Sequence, residues 1–498
     1  MRQVHRALIG AIVGTGLPLL FARAQSGSAV SSPPRLTLEP CTPEGISPSV
    51  GARCGTLTVF ENRATRSGRT IGLRVVVLPA TGKNRASDPL FYFEGGPGAS
   101  VVEGVADVAA EDTALRRNRD LVLVDQRGTG GSYPLMCNFY GPPDSLQSYL
   151  GDFNPPADVR KCRQKLSKIA DLTQYTTTIA AADIDDVRSA LGYERINLTG
   201  GSYATRFSQE YMRRYPNRVR TATLFGLVPP SEAIPQHFGL DAQRSLDAVI
   251  AECRGDNACH AAFPQLADDV RRVFERLSRG PAPATIEHPQ TRQPVTVQLT
   301  RDMVAETLRY MLYQSRATSL VPAAMHKAAS GDFDWLARRA FRARSAPNGA
   351  GIFEGIYIAI TCAEDVPFTD PASEANEARN TFLGDYRMRQ QRAACEIWGR
   401  SPVPADFRTP VKSTAAVLLV TGSFDPVTPP RYAAEVAQSL SNVVNVVVPF
   451  GGHGLAGLAG LDCVDRLMRE TIERGSVKDL DVACVAKIRR PGFPTELP

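Results

Sequence analysis

Histidine is scarce in this sequence, with six residues in 498, so few imidazoles are open to general-base chemistry or to a metal centre. Net charge is scant as well. The formal charge is +6, and it falls to +3 when residues 1–24 are set aside, because that stretch holds Arg2, Arg6 and Arg23 and no acid. A chain so near neutrality has no electrostatic footprint for nucleic acid. Past Phe21 no stretch is apolar enough for a membrane span. There is no internal repeat, and no low-complexity tract beyond Ser26 to Pro34, which reads as a disordered leader.

The one strongly apolar run, Ala7 to Phe21, follows Met1, Arg2 and Arg6 and ends in Ala22-Arg23-Ala24. Basic start, short apolar core and small-x-small end predict a secretory signal peptide over residues 1–24, and hence a secreted or periplasmic protein without a membrane anchor after cleavage. The first cysteine, Cys41, lies too far downstream to be an amino-terminal lipid anchor. Ten cysteines in an exported chain read as disulfides, and they fall in successive local pairs: 41–54, 137–162, 253–259, 362–395 and 463–484. Cys253, Cys259 and His260 form the tightest metal-like cluster, which in an oxidising compartment reads as a small disulfide loop, so no metal site is expected.

Apolar runs set the fold class. Gly55–Phe60 and Ile71–Leu78 predict a hairpin. Leu90–Phe93, Leu121–Val124, the run from Ile196, Thr221–Val228, Ala415–Val420 and Val443–Val448 read as buried strands separated by helices, which predicts a mostly parallel sheet covered on both faces. Ala181–Leu191 reads as a helix whose Asp183, Asp185 and Asp186 lie at its start. Between Pro230 and about Pro410 the alternation stops. Leu266, Val270, Val273, Phe274 and Leu277 mark one helix face, and Met303, Val304, Leu308, Met311 and Leu312 another, so residues 231–409 read as a helical lid inserted into a core of residues 35–230 and 410–498. These stripes are read as packing.

The chemistry centres on Ile196–Tyr211. A strand ends in Gly200-Gly201-Ser202-Tyr203-Ala204, and a helix with Tyr203, Phe207 and Tyr211 on one face follows at once. Strand, tight glycine turn, serine and helix make a nucleophile elbow, with the Ser202 hydroxyl held at the top of the sheet. A serine needs a base, and the base needs an orienting group. His5 falls in the signal peptide, and His237, His260, His288 and His326 fall in the insertion. His453, in Gly451-Gly452-His453-Gly454 after the last strand, remains. Asp425, on the loop after the preceding strand, supplies the acid, with Thr428 placed to cap the helix starting at Pro429-Pro430. The order Ser202, Asp425, His453 suits this elbow chemistry. Oxyanion donors are expected from the Tyr203 N–H and from Gly95-Gly96-Pro97-Gly98, with Gly96 favoured and its neighbours open as alternatives.

With these motifs in view, the sequence resembles the α/β-hydrolases of the prolyl aminopeptidase and tripeptidyl aminopeptidase type. The resemblance rests on GGPG (95–98), DQRGTGGS (125–132), GGSYA (200–204), the run from Asp425 to Pro430 and GGHG (451–454). Cys362-Ala363-Glu364 is similar to a Cys-x-acid element of the tripeptidyl branch. Residues from about 235 to 350 carry no such resemblance. It implies an α/β-hydrolase fold, release of short amino-terminal fragments from peptides, and no cofactor. Glu94 stands where prolyl aminopeptidases usually have histidine, and Ala204 where a second elbow glycine is usual. An enzyme that measures from a free amino terminus needs a carboxylate for the ammonium. The resemblance points to Glu364, with Asp365 next, while Glu94 and Arg127 are further candidates for the pocket; for Arg127 a salt bridge fixing its own loop is an equal alternative. The expected function is therefore that of an exported serine peptidase working through an acyl-enzyme. A serine esterase or amidase for small-molecule acyl substrates, and a non-catalytic binding module on the same fold, are the alternatives; the complete triad argues against the last.

Overall fold

The computed structural model describes residues 36–498 apart from 112, 141–143 and 346–350. The expected signal peptide, residues 1–24, and the leader Ser26–Pro34 lie outside the described residues.

Among the described residues seven strands precede the insertion: β1 (Glu39–Pro40), β2 (Arg53–Phe60), β3 (Thr70–Leu78), β4 (Leu90–Phe93), β5 (Leu121–Val124), β6 (Ile196–Gly201) and β7 (Val219–Phe225). The insertion adds a hairpin of β8 (Ala282–Glu287) and β9 (Pro294–Leu299), and β10 (Ala416–Gly422) and β11 (Val443–Val448) follow it. Nine strands form one sheet in the order β1-β2-β3-β5-β4-β6-β7-β10-β11. Pairing is antiparallel from β1 to β5 and parallel from β5 to β11. Continuous burial explains the central positions: every residue of β5 and of β10 is buried, as strands covered on both faces must be.

The order crosses between β5 and β6, with β4 lying between them, so the carboxyl ends of β4 and β6 are neighbours and Phe93 pairs with Gly200. The loop after β4 and the turn after β6 are thereby set side by side. The Phe93 ring packs on Phe207 of the helix Tyr203–Arg214, with centroids 4.6 Å apart. That helix is buried from Tyr203 to Met212, beyond the single face its sequence pattern implies, because the insertion covers its other side.

The insertion has its own apolar core. Leu266, Val270, Val273 and Leu277 from one helix meet Met303, Val304, Leu308, Met311 and Leu312 from another. The hairpin of β8 and β9 stands in a region whose sequence pattern suggests only helices, and Ala282, Ala284 and Ile286 supply its buried side. The helix expected over Ala181–Leu191 spans Thr177–Ala190, so its acids lie past the first turn. They pair with arginines rather than with the helix terminus: Asp183 with Arg63 and Arg127, Asp186 with Arg63, and Asp185 with Arg188. Five disulfides join 41–54, 137–162, 253–259, 362–395 and 463–484, the local pairing expected from the sequence. Among the described residues no helix is long and apolar enough to cross a membrane.

Gly200 shows how closely β4, β6 and the following helix are fitted. A Cβ at this position would lie 2.6 Å from both the Ala204 Cβ and the Phe93 carbonyl oxygen. Ala204 therefore replaces a glycine without clash only because residue 200 has no side chain. Gly200→Ala should cost about 1–3 kcal/mol by overpacking, read as a fall in the denaturant midpoint. Adding Ala204→Gly should restore part of that loss, because one of the two clashes is removed.

Candidate active site

Ser202 adopts φ 60° and ψ −127°, a left-handed, strained backbone for a residue with a Cβ. It is the turn expected of an elbow. Its N–H is bound by the Phe225 carbonyl at the end of β7, 2.9 Å away. The side chain enters a cleft of about 480 Å³, also lined by His453, Gly96, Tyr203, Glu94 and Asp365.

His453 arrives on the loop after β11, and its position is fixed from two sides. Nδ1 lies 3.0 Å from Asp425 Oδ2 and 3.2 Å from Oδ1. On the other side the insertion meets the loop: Gly454 N–H donates to the Tyr313 carbonyl at 2.7 Å, and the Tyr313 ring packs edge-on against the imidazole, 4.9 Å between centroids. Ser202 Oγ and His453 share the cleft without a hydrogen bond between them among the described residues, a looseness such pairs lose when substrate seats.

Asp425 is fully buried and its carboxylate is saturated. Val427 and Thr428 donate backbone N–H bonds to Oδ1, and the Thr428 hydroxyl donates to Oδ2 at 2.6 Å. Burial alone would raise the carboxyl pKa, but the imidazole and these donors reverse the balance and leave it below its usual value. The acid is thus held ionised. Thr428 is not a helix cap: the following helix is preceded by Pro429 with no side-chain cap, and the Thr428 hydroxyl lies 2.9 Å from His453 Nδ1 as well as on Asp425. Nothing in the local sequence signals this bridging position.

Tyr203 and Gly96, the two expected oxyanion donors, both line the cleft. Tyr203 begins the helix, where an N–H has no intrahelical acceptor, and Gly96 follows β4 with φ +108°, a conformation glycine tolerates. Neither N–H has a hydrogen-bond partner among the described residues, whereas the neighbouring Gly95 N–H is bound by the Glu94 carboxylate at 3.2 Å. Gly96, rather than Gly95, is therefore the open donor. Glu94 lines the cleft; the surrounding protein desolvates its carboxyl and raises its pKa, opposed by the Gly95 bond.

The other expected pocket residues are placed differently. Glu364 is fully buried and does not line the cleft. Its two oxygens accept from the Thr177 N–H and hydroxyl, both at 2.6 Å, and Thr177 Oγ1 lies 2.7 Å from the Tyr203 hydroxyl. It braces the residue after Ser202 from behind and has no route to a substrate ammonium. Asp365 does line the cleft, but its Oδ1 is taken by Arg206 Nη1 at 2.6 Å and by the Ile234 N–H at 3.0 Å. This buried ion pair pins the insertion to the elbow helix. Arg127 lies outside the cleft, its guanidinium bound to both Asp183 oxygens at 2.6 and 2.8 Å and to the Glu61 and Gln174 carbonyls. It fixes its own loop. No sequence motif points to a cluster above the cleft, where Arg309 and Arg387 both bind the single carboxylate of Glu306.

With this geometry established, comparison with known proteins places the chain. A family model described as TAP-like protein matches residues 380–484, the part that carries Asp425 and His453. The chain has an α/β-hydrolase fold, and its carboxy-terminal part is similar to the TAP-like family. Serine protease Hip1 of Mycobacterium tuberculosis is 23% identical over 97% of this chain and 96% of its own length. Carboxylesterase B of the same species is 27% identical, covering 87% of this chain and 86% of its own. Tripeptidyl aminopeptidase of Streptomyces coelicolor is 25% identical, covering 87% and 83%. The chain is a serine hydrolase.

The bonds of Glu364 generate a pH prediction. Burial lifts its pKa from 4.5 to about 8, against the two Thr177 bonds. Between those values the folded chain holds a proton that the unfolded chain releases, so stability falls as pH rises and levels off above about 8. Glu364→Gln, which mimics the neutral acid, should remove this slope, gaining stability relative to the parent at pH 8 more than at pH 5 in denaturant titrations. Its activity at neutral pH should stay near the parent's. A large, peptide-specific loss would return Glu364 to the substrate.

Proposed function

We propose that this serine hydrolase is an exported peptidase that releases short amino-terminal fragments through an acyl-enzyme. The observation that carries the reading is the buried, ionised Asp425 on Nδ1 of a His453 that shares one cleft with the strained Ser202. His453 takes the proton as Ser202 Oγ attacks the scissile carbonyl, and the oxyanion is received by the Gly96 and Tyr203 N–H groups. Collapse expels the amine, which leaves with the proton from His453, and water then repeats the sequence on the ester. Asp425 keeps the imidazole oriented and stabilises it while it is charged. The ordered disulfides are consistent with export.

Free amino termini are recognised through Glu94. It is the carboxylate of the cleft that no arginine engages, whereas Asp365 belongs to Arg206 and Glu364 lies behind the wall. Its place one residue before the oxyanion loop keeps the bound ammonium close to the scissile carbonyl, which favours short fragments. The relative named carboxylesterase B supports a second reading, hydrolysis of small-molecule esters or amides by the same Ser202, His453 and Asp425.

Ser202→Ala should lower turnover on the order of 10⁴-fold without loss of fold. Glu94→Gln should lower kcat/KM for free-amino peptides, relative to a small neutral ester, by about 1.5–3 kcal/mol, the worth of a charge-assisted hydrogen bond. Parent enzyme that cleaves acetyl-blocked peptides as fast as free ones would transfer the assignment to the esterase or amidase reading.

A further inference from the structure

Tyr313, packed on His453, lines both the cleft and a second cavity of about 270 Å³, and Phe153, Tyr310 and Gln314 are likewise common to the two. The second cavity is thus an annex of the first. A base that has taken the serine proton returns it to the leaving group, so the leaving group lies on the His453 side of Ser202. That is the side on which the annex opens.

The annex wall is unevenly charged. Its one carboxylate among the described residues, Glu306, is bound by Arg309 at 2.8 and 2.9 Å and by Arg387 at 3.2 Å. Burial works against the ionised acid, but the arginines overcome it and hold the pKa down to about 2. Its charge is therefore already matched twice over. Arg344 and Arg339 also line the annex, and neither has a carboxylate at ion-pairing distance among the described residues. Arg344 is only 9% exposed. Its Nη1 donates to the carbonyls of Tyr149, Gly151 and Asp152, which fix the turn after residues 146–150, but its buried Nη2 has no partner among the described residues. A buried guanidinium with an unmet donor, on the wall of a cavity with excess positive charge, is unfavourable; water can meet the donor, but only an anion also offsets the charge. Structural clamping of the turn accounts for Nη1 and leaves Nη2 unexplained.

We propose that the annex is a carboxylate subsite for the leaving group, with the Arg344 guanidinium supplying its positive charge. This rests on the peptidase reading for the nature of the leaving group: a short peptide whose carboxylate is either its own carboxy terminus or an acidic side chain. The enzyme then selects short peptides with an anionic released part, and its specificity is set at both ends, by Glu94 for the ammonium and by the annex for the carboxylate.

The test uses matched substrates that differ in one charge. Peptides of one sequence are compared as free acid and carboxy-terminal amide, and the amide is compared with Gln or Glu in the released part. Neutral acyl esters of a phenol bearing a propionate are compared with those of its methyl ester. The parent should favour the anionic member of a pair by about tenfold or more in kcat/KM, as one charge-assisted bond implies. Arg344→Met should bring the ratio toward one, and Arg344→Lys should restore part of it. The pair that shows the preference, free terminus or Glu side chain, identifies the source of the carboxylate. Equal rates for anionic and neutral members in the parent would overturn the proposal, as would a preference that survives in Arg344→Met. The parent ratios need no variant, so they decide the question even where a variant fails to fold. Cleavage of the esters but of no peptide would remove the peptidase reading, while the ester ratio would still decide the annex.

Discussion

The left-handed backbone of Ser202 is the constraint on which the rest of this structure depends. A residue with a Cβ at φ 60° is costly, on the order of 1–3 kcal/mol, and here it is held by neighbours that leave it no alternative. Its N–H is tied to β7, its strand is paired with β4 and β7, and the helix that follows is buried against both the sheet and the insertion. Gly200 makes the turn compact enough for Ala204 to pack on it. The strain exposes a hydroxyl and places the Tyr203 N–H beside it, at the positive end of a helix.

Buried acids in the insertion serve the same end by different means. Asp365 with Arg206 joins the insertion to the elbow helix, Glu364 with Thr177 supports Tyr203 from behind, and Glu306 gathers Arg309 and Arg387 above the cleft. Asp365 and Glu306 would be expensive as lone carboxylates, and breaking such an ion pair typically costs about 3–5 kcal/mol, whereas Glu364, its pKa lifted to about 8, is held as the neutral acid. The first two fix the roof relative to the sheet, the third joins helices within the roof, and the cation excess around Glu306 gives that roof an electrostatic sign.

Much of the core is legible in the sequence because its signals are local. The run Leu121–Val124 is apolar throughout because both faces are covered, and GGSYA encodes a turn that few other residues permit. Asp425 and His453 are suggested by their loops, each directly after a strand, and the fold brings the two side chains together. What is not legible depends on burial and on distant partners. An acid beside a disulfide cysteine looks the same in sequence whether it faces the cleft or lies behind it, and Glu364 lies behind it because Thr177 satisfies both its oxygens. Thr428 has the sequence position of a cap for the helix it precedes, whereas its hydroxyl is drawn to Asp425 and His453 across a fold the local sequence does not record. The hairpin at 282–299 has a period-two signal in Ala282, Ala284 and Ile286, obscured by Pro281 and Pro283, which argue against a central strand but are tolerated in this two-stranded one. Arg127 needs Asp183, which is 56 residues away in the chain.

The central claim is that Ser202 is the nucleophile and that Asp425 and His453 activate it. The most direct measurement is to treat the native protein with a fluorophosphonate, digest it and locate the adduct by mass spectrometry. One phosphonyl group is expected, on the peptide containing Ser202, formed much more slowly when His453 is replaced by glutamine. An adduct on a different residue, or labelling at an undiminished rate in His453→Gln, would contradict it.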